Sequence, residues 1–401
     1  MQKAATVTEV SDTSAPRSYH DEAGALRERV LDHLREQGFT VTNDRLITPV
    51  TGDKNKLRAL HAGAVAANKE KSAGTLSRKE SSFLSRLADG RSISVNAISP
   101  KLVLIEDRRS FEGLLWRWCS LHWSIPVSSG YGRRLRFLVL DEAHDNAVMG
   151  LIGLADPVFA LRPRDEWIGW DAKTRGQRLT SVMDAFVLGA VPPYNALRAG
   201  KLMGLLATSS EVRDAFDLRY RNRKTTINQR DPDARLSLLT TTSALGRSSV
   251  YNRLTRPDSG LAFHPVGYTN GSGDFHFSGN IYSELADFAA SVNVDGNSHA
   301  HARWKSSGPR NRREVIQRAL EALGLDSRSL RVHGVRRQVF AAPLVSNAQA
   351  YLSEGAEPAW ATYPADELAE YWSRRWAEPR AARDDAWRHF DRESWRLYGS
   401  C

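Results

Sequence analysis

Cysteine is scarce: 401 residues hold two, Cys119 within WRWCSLHW and Cys401 at the last position. Two thiols build neither a disulfide framework nor a cysteine-based zinc site. Apolar runs long enough to span a bilayer are missing as well. The opening MQKAATVTEVSDTSAPRS has no apolar signal-peptide core. A soluble, cytoplasmic protein without a membrane partner is the expectation. No ligand spacing of a usual metal site occurs, so no metal is expected, and no solenoid repeat runs through the chain.

A phosphate-binding loop is also lacking, and this absence decides one question. The stretch FLVLDEAHDNAVMG, Phe137 to Gly150, carries the letters of a helicase motor's acidic strand end. Such a motor needs a glycine-rich loop ending in Gly-Lys and a hydroxyl residue. The nearest match, NALRAGKL from Asn195 to Leu202, has Asn for the first glycine and Leu for the hydroxyl. It also follows the acidic strand, where the motor order puts the loop first. A helicase or ATPase is excluded on these grounds.

What is present is positive charge: net +10 with a pI near 9.7. Either the partner is anionic, with nucleic acid the first candidate, or the surface is merely Arg-rich and solvated. The length exceeds one typical core and suggests two or three packed units. Residues 1–17 are small and polar, and read as disordered. Residues 18–100 read as helical, with Leu26, Val30, Leu31 and Leu34 on one stripe and Gly38 and Gly90 as stops. From 101 to 285 short apolar strands alternate with helices. RRLRFLVLD and AVMGLIGLAD form a hairpin turned by Asp145–Asn146, SSVYNRL reads as a short helix with a Ser cap, and LAFHPVGYTNGSGDFHFSG reads as strand, glycine-rich turn, strand. Residues 286–401 return mainly to helices.

One strand, RLTSVMDAFVLGAV, runs through a turn into the helix of YNALRAGKLMGLL. Free N–H groups at that helix start, with Arg198 and Lys201, suit a pyrophosphate. Equally, Gly200 and Gly204, four apart, suit close helix packing. The succession VLGAVPPYNALRAGKLMGLL, LSLLTTTSALGRSSVYNRL and FHPVGYT resembles the core of a GCN5-related N-acyltransferase. That resemblance implies an α+β (α/β) fold, a mixed central sheet flanked by helical N- and C-terminal regions. It implies acyl-coenzyme A held by Val191, Asn195, Arg198, Ala199, Gly200 and Lys201, and Tyr251 as general acid on the departing thiolate. A phenol with a pKa near ~10 stays protonated for that role; otherwise Tyr251 is a core aromatic. Where the family loop has its first glycine, this chain has Arg198.

A second resemblance spans nearly the whole chain. GYGRRLRFLVLDE, GLIGLADPVFALRPRDEWIGWDAKTRGQRL, MDAFVLGAVPPYN, TTTSALGRSSVYNRL, GYTNGSGDFHF and YWSRRWAEPRA, in this order, are similar to the DruA family of Druantia anti-phage systems. It implies a role in defence against phage, beside other system subunits such as a helicase, and names no catalytic residue. Within RDEWIGWD, Asp165 and Asp171 offer a base beside stacking tryptophans; the alternative is a loop packed by Trp167 and Trp170 with an Arg164–Asp165 ion pair. In GSGDFHF, Asp274 and His276 alternate along a strand, so His276 is a candidate base or a histidine beside a turn. The basic runs RYRNRKTTINQR (Arg219, Arg221, Arg223, Lys224) and ARWKSSGPRNRRE (Arg310, Arg312, Arg313) mix charge with aromatics, as nucleic-acid-binding surfaces do, and Arg247 in SALGRSS is a further candidate contact. Three readings compete: an acyltransferase, a DNA- or RNA-binding module on the same fold, and a scaffold that docks through its Trp-rich C-terminal helix.

Overall fold

The computed structural model describes residues 19–47, 53–127, 132–224, 229, 232–291 and 309–399. The stretch 1–17, expected to be disordered, lies outside them. A small hairpin, β1 (Thr40–Thr42) and β2 (Arg45–Ile47), precedes the main sheet. The main sheet contains β3 (Pro100–Leu104), β4 (Arg134–Asp141), β5 (Ala147–Ala155), β6 (Val182–Ala190), β7 (Leu238–Thr242), β8 (His264–Tyr268) and β9 (Gln338–Pro343). Its seven strands lie in the order β3–β4–β5–β6–β7–β9–β8. Every neighbour pair is antiparallel except β6 and β7, which run parallel. The protein is a mixed α+β fold, as expected.

β5 and the stretch Phe137–Leu140 of β4 are apolar throughout because helices cover both sheet faces there, so neither side of these stretches needs to be polar. Their hairpin turns at Asp145 and Asn146, with φ of 51° and 53°, a left-handed conformation that short polar side chains tolerate. On one face Phe137, Val139, Met149 and Ile152 meet α7 (Ala199–Leu206) and α8 (Ser210–Tyr220). On the other, Leu138, Leu140 and Leu151 meet α3 (Glu80–Leu84) and α4 (Phe111–Ser120), with α2 (Lys54–Leu76) alongside. Beyond β6 that second face is closed by α5 (Arg162–Ile168), which packs Ile168 on Val182 and Leu238, and by α6 (Ala172–Arg178) next to it.

The stripe of α1 (Tyr19–Glu36) is buried as read from its spacing, in a separate small core with α9 (Asn280–Ser291) and α10 (Pro309–Ala322). Gly38, φ 89°, ends α1 by donating to the Arg35 carbonyl at 2.8 Å.

Three local expectations change. GSGDFHF is not a strand: bends and turns carry it, because Gly271, Gly273 and Gly279 take left-handed φ of 72°, 159° and 72°. SSVYNRL is a run of turns rather than a short helix. The C-terminal third contributes β9 to the sheet interior, between β7 and β8.

Candidate functional site

β6 and β7 pair over three residues only, Val182–Asp184 with Leu238–Thr240, and then diverge. β6 continues into the loop 191–198 and α7; β7 leads to the turns holding Tyr251. Carboxyl ends of adjacent parallel strands are a natural ligand crevice. Val191 is buried and its N–H donates to the Met149 carbonyl at 2.9 Å. Asn195 is exposed. Arg198, at φ 65°, opens α7 without a side-chain cap. The N–H of Ala199 donates to Tyr194 and that of Lys201 to Arg198, at 3.1 and 2.9 Å, so the loop itself satisfies two donors at the helix start. Gly200 faces open space, whereas a Cβ on Gly204 would meet Leu254 at 2.9 Å and Phe263 at 3.4 Å. Close packing therefore explains Gly204 and not Gly200.

The crevice is largely filled by the protein. Tyr251 stacks on Phe263 with ring centroids 4.8 Å apart and meets Phe340 edge-on at 5.4 Å. Burial pushes its phenol well above the ordinary range, so it stays protonated. Lys201 Nζ donates to the Val250 carbonyl at 3.3 Å and lies 5.1 Å from the Trp376 ring centroid. Trp372 Nε1 donates to the Arg198 carbonyl at 3.2 Å, so the segment 365–377 lies across the first turn of α7. Burial, then Arg198 and Arg375, lowers the Lys201 pKa.

The other proposed bases have structural partners. Asp165 Oδ1 accepts from Arg164 Nε (2.8 Å), Arg164 Nη2 (2.7 Å) and Trp170 Nε1 (3.0 Å). Its Oδ2 accepts from the Leu161 N–H (2.9 Å) and Arg175 Nη1 (3.2 Å). Arg164, fully buried, also donates to the Val158 and Phe159 carbonyls at 2.8 and 2.9 Å, so this ion pair clamps the loop before α5. Asp171 caps α6, accepting from the Thr174 N–H at 2.7 Å. That bond lowers its pKa. His276 is fully buried, bonds the Leu330 carbonyl through Nε2 at 2.8 Å, and is lowered to about 3, chiefly by desolvation. Asp274 pairs with Arg331. Asp165 and Asp171 meet the same α5–α6 segment, one bonded to Trp170 and Arg175 and the other capping α6, whereas His276 and Tyr251 pack in two other clusters.

Of the basic runs, Arg219 pairs with Glu106 at 2.6 Å and Arg221 with Asp233 at 3.5 Å. Arg223 lies 5.8 Å from the Tyr220 ring centroid. Arg312 donates to the Phe277 carbonyl and lies 4.0 Å from the Tyr282 ring centroid. Lys224, Arg247 and Arg313 are exposed; the side chain of Arg310 is outside the described residues.

A denser gathering of cations lies elsewhere, in a cleft of about 670 Å³ between α2, α4 and the first half of β4. Lys71, Arg108, Arg109, Arg117, Arg134 and Arg136 line it, together with Trp116 and Trp123, and no described Asp or Glu does. Strand alternation places Arg134 and Arg136 on the face of Leu138 and Leu140, where the helical cover stops. On α4, Gly113 and Arg117 lie on one side at a spacing of four. Gly113 is required there: a Cβ would come within 2.6 Å of the Asp107 and Arg108 carbonyl oxygens. That close approach folds the 107–109 turn back onto α4 and sets Arg108 and Arg109 at the cleft mouth. Arg136 lies 5.1 Å from the Trp116 ring centroid, and its buried Nε has no hydrogen-bond partner. Burial, then Arg134 and Arg108, lowers its pKa, although a guanidinium remains charged. Arg117 Nη2 donates to Ser72 Oγ at 2.9 Å. A site that gathers cations and turns acids away is built for an anion. Sequence reading misses it because its charges come singly or in pairs from separate segments, NKEKS, DRRS, WRW and RRLRF.

The family model described as "Druantia protein DruA" matches residues 51–354. The matched span covers the whole lining of the cleft, α7 and Tyr251, and ends before the segment 365–377 that crosses α7. The curated "Druantia protein DruA" of Escherichia coli (strain UMEA 4076-1) is 38% identical over 365 residues, 90% of this chain and 89% of that protein. No solved structure matches the chain. Among the described residues no helix is long and apolar enough to cross a membrane.

Proposed function

Because this chain belongs to the DruA family of Druantia proteins, we propose that it serves anti-phage defence by contacting nucleic acid through its cationic cleft. One observation carries the reading: among the described residues, six cations and no acid line the cleft. A polyanion is complementary in charge to such a lining, and its released counterions drive binding. The exposed Arg247 and Arg313 add a diffuse attraction. Other defence subunits, a helicase among them, are the protein partners that this role implies.

The test is a gel-shift titration with DNA and RNA of the wild type, Arg108→Glu/Arg136→Glu and Arg313→Glu. The cleft variant should lose binding at physiological salt while Arg313→Glu keeps most of it. Equal loss in both, or full binding by the cleft variant, contradicts the reading.

A second reading, acyl transfer, draws on the unbalanced Arg198, Lys201 and Arg375 at the start of α7 and on the protonated Tyr251. Calorimetric titration with acetyl-coenzyme A tests it. Binding that disappears in Lys201→Glu supports a donor site; no heat of binding removes it.

A further inference from the structure

We infer that the cleft takes one strand of a polynucleotide, bases as well as backbone, and not a duplex. The inference rests on the nucleic-acid reading above and narrows it to a substrate class.

Two kinds of wall support it. Lys71 is the one cation among the α2 residues that line it, and the others come from the 107–109 turn, α4 and β4; residues 121–127, after α4, contribute Leu121, Trp123, Ile125, Pro126 and Val127. A duplex presents only phosphates and groove edges to such a surface, and would leave the apolar wall against charged backbone. A single strand has both faces of this chemistry, phosphates for the guanidinium forks and unstacked bases for the aromatic wall. At about 670 Å³ the cleft is in the size range that encloses small organic groups, ~300–1,000 Å³. That suits a few splayed nucleotides, whereas a double helix lies across a surface.

Trp123 is positioned for stacking. It is partly exposed, and its indole lies directly on Gly189 of β6, where any Cβ would overlap the ring. The sheet thus holds the ring from behind while it lines the cleft in front. Trp116, buried beneath Arg136, backs the guanidinium and keeps it directed at the strand's phosphates.

Fluorescence anisotropy titrations at one fixed salt concentration test this with labelled oligothymidylate, an oligouridylate, a duplex of equal length, and an abasic strand of equal phosphate number. The thymidylate or uridylate should bind roughly tenfold or more tighter than the abasic strand, since stacking on an aromatic ring is worth about that much per base. Either should also exceed the duplex, and which of the two is tighter identifies DNA or RNA as the ligand. Trp123→Ala should remove the advantage over the abasic strand and Trp123→Phe should keep most of it. The wild-type comparison with the abasic strand decides the matter even if Trp123→Ala fails to fold. If the duplex or the abasic strand binds as tightly as the base-bearing strand, the inference is overturned while nucleic-acid contact stands. If nothing binds, both fall.

Discussion

Asp141, fully buried at the end of β4, shows what the helicase-like letters do. Its Oδ1 accepts from the N–H groups of Ser99 (2.9 Å) and Ala143 (3.3 Å). Its Oδ2 accepts from Tyr194 Oη (2.9 Å) and His144 Nδ1 (2.7 Å). His144 Nε2 accepts from the Ser94 N–H at 2.9 Å, so the proton is on Nδ1. The carboxylate thus ties the hairpin turn to the loop before α7, and Asp141→Ala strands several buried donors. We expect it to cost about 3 kcal/mol or more, read as a lower urea midpoint; a midpoint within error of wild type contradicts this role. Protonation is legible at the same scale. Burial holds His61, His122 and His276 near about 3 and His333 near about 4, below the unfolded value of 6.5. The unfolded chain therefore takes up protons that the folded chain refuses. Their contribution is complete above pH 6.5 and is lost as pH falls towards the folded values, by at most about 1.4 kcal/mol per pH unit for each group. Asp184, raised to about 6 by burial, opposes them: its share is lost as pH rises from about 4 to 6. Four histidines outweigh one carboxyl, so the urea midpoint should fall between pH 6.5 and 4.5; a constant or rising midpoint contradicts the assignment.

At the scale of elements, glycines record how closely the layers approach. A Cβ on Gly150 of β5 would stand 2.6 Å from the Gly189 carbonyl oxygen and would overlap Met203 of α7. Gly150→Ala should destabilise by about 1–3 kcal/mol through this overpacking. Gly200→Ala, in open space near the start of α7, should be neutral or stabilise by up to ~1 kcal/mol. Thermal unfolding of the two variants checks both, and equal effects would mean that α7 is seated differently. These elements were legible in the sequence to unequal degrees. The β4–β5 hairpin stood out because two long apolar runs flank a turn of Asp and Asn. The α1 stripe stood out through its helical spacing. β9 did not, since a six-residue strand buried on both faces shows no alternation. GSGDFHF misled because aromatic alternation mimicked a strand while its glycines took left-handed backbone that breaks one.

At the scale of the whole molecule, the net charge of +10 suited an anionic partner or a solvated Arg-rich surface alike, and the sequence did not say where the charge gathers. Contiguous basic runs drew the eye, and the fold pairs several of their arginines with Glu106, Asp233 or aromatic rings. The cleft gathers its charge from α2, the 107–109 turn, α4 and β4, segments up to 65 residues apart from Lys71 to Arg136, and only the tertiary structure brings them together. The strand, loop and helix in which an acyl-donor site was read are β6, residues 191–198 and α7, with Tyr251 packed on Phe263 and Phe340 and a C-terminal segment across the helix start. The central claim is the cleft as a polyanion site, and the most direct measurement is the slope of log affinity for a single-stranded oligonucleotide against log salt concentration. Wild type should show a steep negative slope, to which every phosphate neutralised by the protein adds about 0.7. Arg108→Gln/Arg136→Gln, which removes two cations, should therefore flatten it by roughly 1.4. The same slope in both proteins would place the phosphates somewhere other than the cleft.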